Sequence, residues 1–419
     1  MENVERRGFS LVGALPLMLF AVASYFTTST VASSMNVAAG ALEGAYGWDA
    51  VFITSSISIA SVFNVVLGYI AGRACSRFSP KAVCVAWGIL YIAGVAGMCV
   101  SKAFSIFVLT MVVANAAASA WGYNTVPVLI TNWFPTRKGT VQGLVSMGIP
   151  LGAGFASIVY SWGLATWGID AAFVPFIIIA AIALLVLGLF ISDMPESRGM
   201  QPDTLAPCAR HQVKSASLST ADSQREPATT YLKDIKFVAL SAVLGIQLLY
   251  SGGLMVQIVP RLLELGYSVD EATVAMLISA GFACVGSIVC GAIGDRFGYR
   301  VGVVISFAVG IVAIVLNLVG GTVCVLASLA LIGVVTGSAD NWPVSICAER
   351  YGREGFNGAF GVMLPIIQLV GALGPAFFAL IAGATGSYAV SYTAGAALMA
   401  AGLVLFLIMS ASFTRKEAR

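Results

Sequence analysis

The sequence is an almost unbroken series of apolar runs, each about 20 residues long, parted by short polar or charged breaks. At ~1.5 Å per residue, a helix of that length spans the ~30 Å hydrocarbon core of a bilayer. A water-soluble interior has no room for so many runs, since 59% of the 419 residues are hydrophobic and only 10% are charged. In lipid every backbone N–H and C=O has to be satisfied within the protein, and a helix does this by itself. The chain therefore reads as an all-α membrane protein. Its 45 glycines fit that reading, because small residues let membrane helices approach closely.

The runs place helices near 10–35, 49–72, 82–100, 104–131, 140–163 and 171–191, then near 235–258, 270–293, 301–319, 322–347, 357–382 and 387–410. The first is too long for a signal-peptide core and is expected to stay as the first of twelve spans. Between the two sets lies one long polar stretch, Ser192 to about Asp234, rich in Pro, Ser, Thr and Gln, which reads as a flexible surface linker. The organisation expected is a six-helix bundle over 1–191, a linker over 192–234, a second bundle over 235–410 and a tail over 411–419. With an even number of spans, 20 of the 22 Lys and Arg residues fall on the side of the linker and termini, leaving only Lys102 and Arg261 opposite. The positive-inside rule then places the linker and both termini in the cytoplasm, and the chain in the cytoplasmic (inner) membrane. The net charge of +3 carries no nucleic-acid footprint. Eight cysteines lack paired spacing and mostly fall in or beside apolar runs, as small packing residues rather than a disulfide or metal framework.

Two loops occur twice. Gly72-Arg-Ala-Cys-Ser-Arg77-Phe78-Ser-Pro-Lys81 aligns without gaps on Gly291-Ala-Ile-Gly-Asp295-Arg296-Phe297-Gly298-Tyr-Arg300, at an offset of 219. Asn124-Thr-Val-Pro127-Val128 followed by Arg137-Lys-Gly139 aligns on Asp340-Asn-Trp-Pro343-Val344 followed by Arg353-Glu-Gly355, at an offset of 216. Two separate loops with nearly one offset indicate a parallel duplication of a six-helix unit.

Gly291-x-x-x-Asp295-Arg296-x-Gly298-x-Arg300 resembles the loop signature of the major facilitator superfamily, with a degenerate copy at Gly72 to Lys81 that includes Arg77. Asn132-Trp133-Phe134-Pro135-x-Arg137-Lys138-Gly139 is similar to the corresponding loop of oxalate/formate antiporters and monocarboxylate porters. The resemblance implies the major facilitator fold, two pseudo-symmetric bundles rocking about a central site. It also implies a latch in which Asp295, with Arg296, faces the helix start near Thr140, where the helix dipole favours a carboxylate. In the first copy the matching position is Ser76, so one charged latch is absent. The alternative reading is that these loop charges only set topology.

An ionisable side chain inside a membrane costs ~2.5–3.5 kcal/mol on insertion scales, which makes it a functional candidate. Asp340 lies about ten residues before Arg350, roughly 15 Å from the linker-side end of its helix. No Lys or Arg falls inside a proposed span, so desolvation acts on this carboxylate without an evident counter-ion. Asp340 is read as a proton-coupling residue or the counter-charge of a cationic solute; a hydrogen-bonded structural acid or a hydrated vestibule residue remain open. Its repeat mate is Asn124. Together with Tyr25, Thr28, Asn64, Trp121 and Tyr123 in the first half and Gln247, Tyr250 and Gln368 in the second, Asn124 is a candidate for an amphipathic wall around a small solute. Packing is the plain alternative for each aromatic.

The look-alike antiporters carry basic residues at the positions of Ser287 and Leu364, which argues against oxalate, because a dianion in a low-dielectric cavity needs a fixed cation. The Gly and Pro residues around Pro150 and Pro375 do not match the spacing of the proton-antiporter motif. The expected function is secondary transport of a small organic solute, with a monocarboxylate as one option, and with protons as a coupling partner. Efflux of amphipathic compounds, or solute sensing without flux, are the alternatives. No nucleotide-binding loop, cofactor motif or catalytic constellation is present, and the lone His211 lies in the linker, so an enzyme is not expected. The chain is expected to work as a monomer.

Overall fold

The computed structural model describes residues 11–75, 77–203 and 228–417. Ser76, Cys208 and His211 lie outside them, as do Arg6 and Arg7. The first six spans are α1 (Leu11–Tyr46), α2 (Ala50–Cys75), α3 (Pro80–Val100), α4 (Phe104–Trp133), α5 (Lys138–Trp167) and α6 (Val174–Phe190). After the linker come α7 (Ile235–Glu264), α8 (Val269–Phe297), α9 (Tyr299–Val319), α10 (Thr322–Gly352), α11 (Gly355–Thr385) and α12 (Tyr388–Glu417). Among the described residues, eleven helices are long and apolar enough to cross a membrane. With α2, which has 26 residues, they make up the expected twelve.

Local chemistry sets the ends. Ser79 accepts a hydrogen bond from the Ala82 amide and Pro80 supplies the fixed φ of a first turn, starting α3. Asp234 accepts from the Lys236 amide (3.0 Å) to start α7, and Ser268 with Glu271 forms a reciprocal cap on α8. Between α8 and α9 the chain turns within a single residue, Gly298, at φ +80°, a conformation that a side chain would strain. Two spans outrun the sequence reading. The alanine-rich stretch past residue 35 continues α1 to Tyr46, with Ala38, Ala39 and Leu42 buried. α7 passes Pro260 and reaches Glu264.

The longer α7 corrects the expectation that no basic residue lies within a span. Arg261 is 5% exposed; its Nε donates to Asn317 Oδ1 (2.9 Å), its Nη1 pairs with Glu264 (2.5 Å), and its guanidinium lies 5.7 Å from the centre of the Tyr392 ring. It is a structural cation of the second half. On the same face of the protein, Lys102 pairs with Asp170 in the first half, and the Tyr46 hydroxyl joins them. The hydrogen bond to Asp170 pushes Lys102 above its ordinary pKa. Both groups are largely exposed, so the pair contributes little to stability.

The apolar core is divided as the duplication predicts. One buried cluster runs from Ala14 to Ile191 and a second mainly from Tyr231 to Phe406, with Cys75, Val83 and Val128 of the first half reaching into it. All seven described cysteines are free thiols. The linker departs from the flexible expectation at both ends. Ser192 and Asp193 accept hydrogen bonds from Trp133 Nε1 (2.9 Å) and Asn132 Nδ2 (3.1 Å), and Asp203 accepts from the Thr136 hydroxyl (2.7 Å). Lys81 Nζ donates to the Gly188 and Ile191 carbonyls at the end of α6. The Asn132-Trp133-Phe134-Pro135 loop is thus a docking point for the chain leaving α6. At the other end, Ala228–Lys233 forms a helical turn whose Tyr231 is buried in the second core.

The halves meet closely on the linker side. There α8 crosses α5 with backbone against backbone: a Cβ on Gly291 would lie 2.1 Å from the Gly139 carbonyl oxygen, and one on Gly143 2.2 Å from that of Ser287. Across the pseudo-axis, a Cβ on Gly72 of α2 would lie 2.6 Å from the Gly361 Cα of α11. Nearby, Asn357 Nδ2 donates to the Cys75 carbonyl (3.4 Å).

Gly291→Ala is expected to hold α5 and α8 apart on the linker side. Thiol-reagent labelling of native Cys290 and Cys75, both buried beside these crossings, should accelerate roughly tenfold, read by peptide mass spectrometry. Glu264→Gln is expected to lower stability by about 1–3 kcal/mol, because the buried Arg261 loses its charged partner; the thermal midpoint of the purified protein checks this.

Candidate functional site

Both halves break their fourth helix at the duplicated position, for the same reason. A proline lacks an N–H and its ring presses on the carbonyl four residues earlier. Pro343 therefore bears on Ala339, where the first part of α10 ends; Asp340 forms the turn and the helix resumes at Asn341. Pro127 bears on Tyr123, and α4 answers with a widened π-helical turn over Ala120–Thr125 that contains Trp121, Tyr123 and Asn124. The Asn124 amide donates to the Ser119 carbonyl, five residues back (3.4 Å), and its Oδ1 is buried without a hydrogen-bond partner.

Asp340 faces the first half. Its carboxylate lies within electrostatic range of the hydroxyls of Tyr25 in α1 and Tyr123 in α4, whose rings meet edge to face at 5.9 Å. Among the described residues no Lys or Arg lies within salt-bridge distance of its carboxylate. Tyr25 is 1% exposed, and its hydroxyl oxygen accepts from Gln142 Nε2 (2.6 Å). With that lone pair engaged, the Tyr25 proton is what the residue has to offer a partner. Thr28 donates to the Tyr25 carbonyl (2.6 Å) and lies beside the Tyr123 hydroxyl.

A second polar group surrounds Gly68 of α2. A Cβ there would lie 3.3 Å from Asn124 Nδ2 and 3.3 Å from Gln368 Oε1 of α11, so one missing side chain lets amides from both halves approach. Asn64 lies one turn earlier on α2. The carbonyl oxygens of Asn64, Asn124 and Gln368 are all buried without a hydrogen-bond partner, an acceptor-rich surface suited to a donor-bearing solute.

Other candidates lie elsewhere. Trp121 is turned into the first bundle, packed on Phe20 and Tyr91 at 5.8 and 6.1 Å between ring centres. Tyr250 is fully buried in the second bundle and donates to the Gly310 carbonyl (3.1 Å). Helical neighbours on one apolar run point to different faces, and an apolar run carries no signal of helix rotation to separate them. Gln247 is buried, with both amide atoms unpartnered.

At the linker-side crossing, Asp295 accepts from the backbone amides of Gly139 (2.8 Å) and Thr140 (2.6 Å). These are orphan donors of the first turn of α5, so a carboxylate from one half caps a helix of the other. Gly291 provides the close approach and Gly298 the turn. Arg296 is exposed over the Phe297 ring, Arg300 lies over Tyr299, and Arg77 is exposed.

Beneath that cap is a polar cluster that sequence reading missed. The Ser287 hydroxyl donates to the Gly143 carbonyl (2.7 Å) and is 2.5 Å from the Ser146 hydroxyl. Asn341 Nδ2 donates to the Ser287 carbonyl (2.8 Å), and Asn341 Oδ1 accepts from Ser146 (3.0 Å). Ser287, Ser146 and Asn341 are each 2% exposed or less. Gln142 and Ser146, four residues apart at the start of an apolar run, were the available signal, since polar side chains at that spacing share one helix face.

The geometry has parallels among known proteins. The sequence matches the profile of the Major Facilitator Superfamily over residues 17–375. Among curated proteins none matches. The fold resembles the proton:xylose symporter XylE bound to 6-bromo-6-deoxy-D-glucose, with TM-score 0.75 at 13% identity over 96% of each chain. It also resembles the human organic anion transporter MFSD10 (TETRAN), with TM-score 0.69 at 15% identity over 97% of this chain and 100% of that one. FucP in its outward conformation is similar as well, with TM-score 0.70 at 16% identity over 95% of this chain and 98% of the other. These likenesses describe the fold, and the profile match covers most of the sequence. The chain belongs to the major facilitator superfamily, as a multi-pass membrane transporter.

Proposed function

We propose that the chain is a secondary active transporter that moves a small polar organic solute by alternating access and couples that movement to protons at Asp340. The observation that carries this reading is the Asp340 carboxylate, set in the break of α10 against tyrosines of the other half with no basic partner among the described residues. A charge held there is costly, and taking up a proton removes the cost. Solute and proton can thus be read from one place. The basic residues favour an orientation with the linker and both termini in the cytoplasm of a cell bounded by that membrane.

The same carboxylate shapes the solute class. A dianion would meet Asp340 without a compensating cation, and Ser287, where oxalate/formate antiporters carry a base, is closed against α5. A monocarboxylate that arrives after Asp340 is protonated, or an uncharged solute with hydroxyl or amide donors, meets the site better. Tyr25 offers a donor, and the amide oxygens around Gly68 offer acceptors. The close crossings of α5 with α8 and α2 with α11 leave this arrangement closed on the linker side. Its alternate opens there by separating those crossings, and Asp295 favours closure by capping α5.

A thermal-shift screen of the purified protein against mono- and dicarboxylates, amines and neutral metabolites identifies the solute for transport assays. In proteoliposomes, Asp340→Asn is expected to reduce accumulation driven by a proton gradient roughly tenfold or more while solute counterflow persists. Uptake by that variant with the native pH dependence would remove the coupling role. Asp295→Asn is expected to slow transport and to lower hydrogen-exchange protection at the start of α5 about tenfold, the scale of a lost charged cap. Native protection together with native rate would remove the latch role.

A further inference from the structure

The first stretch of α5, Lys138–Ser146, is separated from the rest of that helix by a break at Met147. By sequence it belongs to the first half, yet most of its polar partners belong to the second. Asp295 holds its amides at Gly139 and Thr140, Ser287 binds its Gly143 carbonyl, and Asn341 and Ser287 bind its Ser146 hydroxyl. Its principal polar tie within the first half is Gln142 to Tyr25, the tyrosine that Asp340 faces. Asn341 is the residue next to Asp340, the first of the helix that resumes after the turn. One segment therefore touches the linker-side clasp and both sides of the proposed proton site.

We propose that Asn341 is a positioning residue that couples the state of the Asp340 turn to closure of the linker side. Its amide spans Ser146 and Ser287 and is fully buried; its Nδ2 is held by Ser287 within the second half, and its Oδ1 is satisfied by Ser146 only while α5 and α8 are together. When they part, Ser146 leaves along with the Gly139–Gly291 contact, and the turn loses the bond that ties its following residue to the first half. A change at the turn is transmitted the other way, because a displaced Asn341 leaves buried hydroxyls and a carbonyl unpaired in a low-dielectric contact. Such reciprocity is required of any coupling between two sites.

This inference rests on the reading of Asp340 as the proton site. The titratable groups that face Asp340 are Tyr25 of α1 and Tyr123 of α4. Lys138 of α5 interacts with Asp295 of α8 and Glu349 of α10 at the linker-side end. The two sets are bridged by the uncharged cluster of Ser146, Ser287 and Asn341, which removes a direct ion pair as the means of transmission.

A double-mutant cycle tests it. Spin labels at Phe78 and Phe297, exposed linker-side positions in opposite halves, report the ratio of open to closed arrangements across a pH series. Asp340→Asn is expected to change that ratio about tenfold in the native background and less than about twofold in Asn341→Ala. The pH dependence of opening should likewise flatten in Asn341→Ala. Ser146→Ala, which removes only the hydroxyl that holds Asn341 Oδ1 to α5, should show the same decoupling and serves if Asn341→Ala folds poorly. Equal effects of Asp340→Asn in both backgrounds overturn the proposal, as does a uniform shift of the ratio at every pH in Asn341→Ala. The proton reading itself is judged separately, by the pH profile of transport in Asp340→Asn with Asn341 intact. A native profile there defeats the proton site, whereas an altered profile with an additive cycle defeats only the role of Asn341.

Discussion

Where α5 meets α8, two backbones touch with no side chain between them. That approach is what lets a carboxylate on α8 reach the first amides of α5 and what brings Ser287 within bonding distance of Gly143 and Ser146. In lipid there is little hydrophobic gain in pressing one helix on another, so close packing and interhelical hydrogen bonds carry the association. Glycine serves both, since it removes the side chain that would hold the backbones apart and exposes carbonyls that polar neighbours can reach. The crossing of α2 with α11 repeats the device with Gly72 and Gly361, where a long bond runs from Asn357 to the Cys75 carbonyl. The two crossings are alike in packing and unlike in electrostatics.

That asymmetry extends to the interior. Pro127 and Pro343 disturb equivalent turns, and the duplicated chain has placed an amide at one and an acid at the other. Asn124 donates to its own helix at the Ser119 carbonyl, and its amide lies against Gly68 of α2. Asp340 has no such local partner and is seen by tyrosines of the opposite half. A fold built by repetition thus differs between its halves by one functional group at the repeated turn. The polar clasp and the proposed proton site then fall beside the same helix break.

Structural charge is kept apart from this centre. Arg261 is neutralised by Glu264, Asn317 and Tyr392 at the far end of the second bundle, and Lys102 with Asp170 is exposed in the first. Neither lies by Asp340. The loop Asn132 to Pro135, which resembles that of carboxylate porters, anchors the chain leaving α6. In this protein the loop therefore has a structural duty that is independent of any solute.

The sequence by itself determined the number of spans, their duplication and the position of the interior acid, because hydrophobic length and proline are local properties that each helix expresses without its neighbours. The resemblance of its loop to the family signature also implied that Asp295 faces the start of α5. The sequence could not assign rotation. Trp121 and Tyr123 are two residues apart, yet the first is buried in its own bundle and the second borders both cores. Nor could it extend α7 through Pro260, so Arg261 was left outside a helix that contains it. The partners of Gln142, Ser146, Ser287 and Asn341 were decided by tertiary structure alone. They are joined across as many as 195 residues of chain, by a helix crossing whose closeness depends on both surfaces at once. Asp340 was visible as a lone acid in an apolar run; the tyrosines it faces, and the clasp beside it, became visible only when the halves were brought together.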